Sequence, residues 1–240
     1  MERKYGAWYE FLPIIFGIFV FLVGYVVLKY SPNIASLYVS TKTPWGVITA
    51  MFIDDGAANG ESYAFLAFLF IAANAAYSRS LRVGRYLVSI GNSLAAGLVA
   101  NLVNLVLFVV KVPNGYSLGQ SGIVYGFWGT IGIMAFSDLF MYAKFFFRKI
   151  RKKDIRAIVK NRTGGRVRMA ITYVFTIILF LFTFVYVFAD LPAFFSFAPG
   201  VDSFVHIISF GAGGMMTLYV LYRHWDQLFW ATDSPKRRTV

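Results

Sequence analysis

Six long apolar runs limit what this chain can become: residues 11–30, 61–78, 86–110, 120–143, 169–189 and 203–222. A helix needs about 20 predominantly apolar residues to cross the roughly 30 Å hydrocarbon core of a bilayer, and each run is close to that length or beyond it. Hydrocarbon offers no partner to a free N–H or C=O, so each run is expected to be helical. The expected fold is an all-α membrane protein, a single six-helix bundle over residues 1–240. Composition agrees, with 58% hydrophobic and 14% charged positions, a balance outside that of ordinary soluble domains. The aromatic residues crowd the runs and their edges, as amphipathic rings do at a headgroup boundary. The opening MERKYGAWYE is short and acidic for a transit peptide, and no small-residue cleavage signal follows it, so the first run reads as a retained span.

The net charge of +12 is concentrated between the runs. With a cytoplasmic N-terminus, 20 of the 23 Lys and Arg fall in inner segments, leaving Lys29, Lys42 and Lys111 outside. The positive-inside rule then places both termini in the cytoplasm, and a cell membrane is the expected location. The basic stretch 144–168 serves topology and suits anionic lipid headgroups. It carries no base-stacking or groove-reading motif, so nucleic acid is not an expected partner. The absence of cysteine excludes disulfides, thiolate zinc sites and a cysteine nucleophile. Asp54 and Asp55 alone fall short of a metal site, and neither metal nor cofactor is expected. No inverted repeat or matched pair of broken helices suggests a transporter.

In this orientation the fourth run starts at the outer face with Ser121, and the sixth starts there with His206 near its first turn. The other histidine, His224, falls at the cytoplasmic end. A serine becomes a nucleophile when a base takes its proton, and a histidine across a helix interface is the simplest such base. Gly122, Gly126 and Gly129 form a small-residue strip on the fourth helix, while Ser209 and Gly213 share a face with His206. Small faces let membrane helices approach closely. Tyr125, one turn after Ser121, is placed to pack against the imidazole. Each residue also has a plainer role: Ser121 as a helix cap, the glycines as packing residues, and His206 as a bridge between helices.

The stretch GQSGIVYGFWG (119–129) resembles the GxSGxxYGxxG signature of rhomboid intramembrane serine proteases. HIISFGAG (206–213) resembles that family's HxxGxxxG pattern, with Ser209 where glycine is usual. PWGVITAMFIDDGAAN (44–59) is similar to a stretch in which WRxxTAxF leads into a histidine and then an asparagine. The resemblance spans roughly residues 44–222 and implies a rhomboid-like bundle that cuts peptide bonds in or near transmembrane segments of membrane-protein substrates. It implies Ser121 as nucleophile, His206 as base and then acid, Tyr125 as the ring supporting His206, and Gly119 as the flexible residue before the serine. The Ser121 N–H would contribute to an oxyanion hole.

Two departures matter. The family histidine and the asparagine four residues later become Asn59 and Tyr63 in an ungapped reading. Both can donate to developing negative charge, Asn59 being the first choice and Tyr63 the second, while a chain-turning role for Asn59 stands beside that reading. Gly46 replaces the arginine after Trp45 in an outer loop expected to lie partly among headgroups. The altered oxyanion positions leave open a catalytically weak or silent rhomboid-like protein that binds transmembrane clients. Asp138 lies 17 residues beyond Ser121, about 25 Å along a helix, and is expected to pair helices rather than complete a triad. Asn74, Asn101 and Asn104 are expected to bond between helices.

Overall fold

The computed structural model describes residues 6–53, 58–110, 116–117, 119–147, 165–196 and 203–228. The helices are α1 (Leu12–Tyr30), the single-turn α2 (Gly46–Thr49), α3 (Ala58–Ala73), α4 (Arg79–Val110), α5 (Ser121–Phe147), α6 (Gly165–Ser196) and α7 (Ser203–Leu228). Two short strands, β1 (Val39–Ser40) and β2 (Tyr116–Ser117), pair antiparallel with Val39 opposite Ser117. Among the described residues, five helices are long and apolar enough to cross a membrane, while α3 is shorter. Its 16 residues span about 24 Å. The chain is thus a multi-pass membrane protein by length and composition. Phe19, Val106, Val185 and Met215 are among the large apolar side chains left on its outside, a surface suited to hydrocarbon and costly in water.

The run expected to end at residue 78 stops at Ala73, where Asn74 donates from Nδ2 to the carbonyl of Phe70 on its own helix, 2.7 Å away. Asn74 therefore ends a helix instead of joining two. Asn101 does join two helices, donating to the Val47 carbonyl at 3.0 Å and fixing the single-turn α2 to α4. The stretch 148–164 of the basic segment, together with Asp54 and Asp55, lies outside the described residues.

α4 begins seven residues before its apolar run and takes Arg79, Arg82 and Arg85 into its first turns. Cations at a helix N-terminus oppose its dipole, so these charges need acceptors. Glu10 pairs with Arg82 at 2.6 Å and with Arg79 at 3.4 Å. Arg85 is fully buried and grips Asp138 of α5 through two bonds, of 2.6 and 3.1 Å. Tyr77 donates its hydroxyl to the same carboxylate, and its ring lies 4.6 Å from the Arg85 guanidinium. Asp138 is accordingly the helix-pairing carboxylate expected of it. Arg85, counted among the basic residues of an inner segment, is instead neutralised inside the bundle.

α5 is the central element. Of its window Ser121–Phe140, 72% is buried, against 22–33% in the other four long helices. It packs on α4 and α7 across glycine, and on α6 through Trp128, whose Nε1 donates to Thr183 at 3.1 Å. A Cβ at Gly126 would lie 2.7 Å from that of Ala96, and one at Gly129 would enter the Phe210 carbonyl. Facing Gly126, Gly213 meets that residue's backbone.

The buried ion pair gives a direct expectation. Asp138→Ala strands Arg85 and should cost about 3–5 kcal/mol, whereas Arg85→Met with Asp138→Leu should recover most of that loss. Denaturant unfolding in one detergent measures both, and equal destabilisation by the single and double variants would contradict the assignment.

Candidate functional site

The approach to Ser121 is built by backbone. Gly119 donates its N–H to Ala50 O and Gln120 to Ile53 O, each at 3.1 Å. The turn 50–53 is thereby tied to the residues immediately before the serine. Gly119 has φ 142°, a left-handed conformation that favours glycine, and a Cβ there would stand 2.9 Å from Ser121 Oγ. Gln120 is buried and donates from Nε2 to Val20 O at 3.1 Å and Phe52 O at 3.0 Å, joining α1, the loop and α5. Gly24 leaves the space this amide enters.

The loop is anchored elsewhere by Trp45 Nε1 on Ser36 O at 2.8 Å and Thr49 Oγ1 on Leu37 O at 2.8 Å. Trp45 and Ile48 remain exposed while Met51 is buried. Gly46 has a physical reason: any side chain there would run into the Tyr38 carbonyl. The arginine of the resembled tryptophan–arginine pair has no room at this position.

Ser121 opens α5 and is 7% exposed. One turn later, Tyr125 stacks on His206 of α7, with ring centroids 4.0 Å apart and planes 7° from parallel. Beside the serine, a Cβ on Gly122 would lie 3.3 Å from Ser209 Oγ and 3.5 Å from Val205 Cγ1. Val205 and Ser209 stand on either side of His206 on α7, and Gly122 and Tyr125 are the α5 residues that meet this stretch. Gly126 and Gly213 close the seam one turn further along. Gly122, Tyr125, Gly126, His206, Ser209 and Gly213 therefore line one helix–helix contact, and Ser121 opens α5 one turn before Tyr125.

Tyr63 belongs elsewhere. Its buried ring packs against Phe16 and Phe21 of α1 and, at 4.6 Å, against Phe127 of α5. Phe127 is six residues after Ser121, about 240° around the helix, so Tyr63 fills the α1–α3–α5 core and not the seam with α7. Asn59 sits in the first turn of α3, where Gly60 faces Phe21. That is the level of α1 at which Gln120 bonds. Among the described residues no group of three His, Asp or Glu is placed to hold a metal. A half-open apolar groove of about 340 Å³ between α5, α6 and α7, lined by Gly132, Phe136, Thr183, Phe184 and Phe210, lies further along α5 from Ser121. Comparison with protein-family models, curated proteins and solved structures returned no match.

Sequence reasoning missed Gln120 and the partner of Asp138. An amide inside a quoted motif and one arginine with one aspartate at a shared depth were the available signals. What the seam offers is a hydroxyl at a helix start, an imidazole held flat by a phenol ring, and a helix N-terminus whose first N–H groups lack intrahelical acceptors.

Gln120→Ala should free two buried carbonyls at a cost of about 1–3 kcal/mol and loosen the loop. Hydrogen exchange read by mass spectrometry is expected to quicken at residues 46–53 and stay unchanged in α7. Equal protection in both forms would remove the strut role.

Proposed function

We propose that the chain is a rhomboid-like intramembrane serine protease with six spans and both termini cytoplasmic, in the cell membrane, hydrolysing a peptide bond in or near a transmembrane segment of its substrates. The observation that carries this reading is the Tyr125–His206 stack one turn from Ser121. It holds the only histidine at this end of the bundle, among the described residues, on the residue one turn after a serine whose approach is fixed by Gly119 and Gln120. The motif resemblance supports the same roles. α3, at about 24 Å, completes the sixth crossing if the bilayer thins or the Asn74–Ser78 turn sits within the headgroups.

His206 takes the Ser121 hydroxyl proton as Oγ attacks the scissile carbonyl, and returns it to the leaving amine. Water then hydrolyses the acyl-enzyme with the same histidine as base. The oxyanion falls to the Ser121 N–H at the start of α5, where the helix dipole favours negative charge, and to Asn59. A substrate helix must unwind locally, since a scissile carbonyl inside a helix is hydrogen-bonded and shielded, so helix-destabilising residues are favoured near the cut. Arg and Lys of segment 144–168 meet anionic headgroups on the inner face.

Tyr63 favours a second reading. It occupies the core where the family's oxyanion donor is expected, so a protein that binds transmembrane clients without cutting them follows if Asn59 does not serve.

A serine-directed fluorophosphonate separates the two readings. It should label the wild type and spare Ser121→Ala, and absence of labelling, or equal labelling of both, favours the binding role. In lipid, with single-span substrates, His206→Ala should abolish cleavage and Asn59→Ala should slow it about 100- to 1,000-fold. Cleavage that persists in either Ser121→Ala or His206→Ala would refute the mechanism.

A further inference from the structure

The Tyr125 stack fixes the plane of the His206 ring but not the position of its proton. A neutral imidazole carries one N–H, and only the form with the proton on Nδ1 leaves the Nε2 lone pair free for a serine. The choice is made by an in-plane partner of Nδ1. Stacking above the ring is blind to it.

Ser209 is the residue of α7 best placed to make that choice. Five other buried hydroxyls of the bundle donate to the carbonyl one turn earlier on their own helix: Ser89 to Tyr86, Ser93 to Ile90, Thr176 to Thr172, Thr183 to Leu179 and Thr217 to Gly213, all at 2.7–2.8 Å. Ser209 is 0% exposed, and its Oγ has no hydrogen-bond partner among the described residues. A buried hydroxyl left in that condition is costly. It faces the bare Cα of Gly122, next to Ser121. It also follows His206 by three residues, a spacing that puts two side chains side by side, and helical side chains lean back toward the preceding turn. This is the position at which the chain departs from the HxxG pattern, and glycine would supply no acceptor.

We propose that Ser209 is a positioning residue for His206: turned from Gly122 about its χ1 bond, its hydroxyl accepts the Nδ1–H and leaves Nε2 to take the Ser121 proton. The same hydroxyl then donates its own hydrogen to a carbonyl one turn earlier, as the other five do. When the Ser121 O–H bond breaks, the proton joins Nε2, Nδ1–H stays on Ser209, and Ser209 keeps its own hydrogen throughout. The ring reverts to the Nδ1–H form once the leaving amine takes the proton. This assignment rests on His206 being the base proposed above.

The test reads the tautomer directly. In a His224→Gln parent, ¹⁵N-histidine NMR in lipid nanodiscs reports on His206 alone. The parent is expected to show the Nδ1–H form as the main neutral species, and Ser209→Ala and Ser209→Gly are both expected to lose that dominance. Alanine keeps the Cβ against Gly122, so a purely packing role would leave Ser209→Ala like the parent and alter only Ser209→Gly, which would overturn the proposal. In cleavage assays Ser209→Ala should lower kcat about 2- to 10-fold, the worth of one neutral hydrogen bond, with KM unchanged. A parent without proteolysis counts against the protease reading, while the spectra still decide the role of Ser209.

Discussion

Where α5 crosses α7, Gly126 meets Gly213 and Gly129 meets the carbonyl of Phe210 with no Cβ between them. In hydrocarbon there is no hydrophobic drive to push helices together, so closeness comes from shape and dispersion between bare backbones. That approach brings Tyr125 within stacking distance of His206. A side chain at any of these glycines would separate the helices and pull the histidine away from Tyr125. The same seam explains why α5, the most buried of the long helices, carries the serine at its start: a central helix is held on several sides, and its first residue inherits that rigidity.

The charged and amide groups that join elements inside the bundle follow a second rule, finding partners within the protein because the surrounding lipid supplies none. At one end, Arg85, Asp138 and Tyr77 satisfy one another, and Glu10 answers Arg79 and Arg82. At the other, Gln120 takes two carbonyls and Asn101 a third. These contacts join elements far apart in sequence, so they act as fasteners: one set fixes the base of α4 against α5, the other fixes the loop and strand pair over the start of α5. The serine lies in the second, where backbone hydrogen bonds of Gly119 and Gln120 leave little freedom in the chain leading to it.

Catalysis in such a place sets competing demands. A hydroxyl and imidazole must be held in one geometry, which the stack and seam favour, yet water must reach them and a substrate helix must open beside them. Polar lining at the top of α5 is tolerable only where it borders protein or water. Holding the histidine with an aromatic face, instead of a buried carboxylate, avoids placing an uncompensated charge in the membrane. On the proposal above, the proton position then falls to a neutral group, the Ser209 hydroxyl.

The apolar runs alone determined that the chain is helical and membrane-embedded, because length and hydropathy decide whether a segment can cross hydrocarbon. Local residue spacing also put Gly122 and Gly126 on one face of α5 and Ser209 and Gly213 on one face of α7, the faces that meet in the fold, since a helix repeats its faces every turn. Tertiary structure decided the rest. Tyr63 reads in sequence as a second-choice hydrogen-bond donor after Asn59, but the rings of Phe16, Phe21 and Phe127 draw it into the core. Arg85 reads as a basic inner-segment residue until Asp138, 53 positions away, is found against it. Gln120 looks like filler within a motif until α1 and the loop present their carbonyls. In each case the deciding partner lies on another element, and a one-dimensional pattern records periodicity along its own helix but not which neighbour that face will meet.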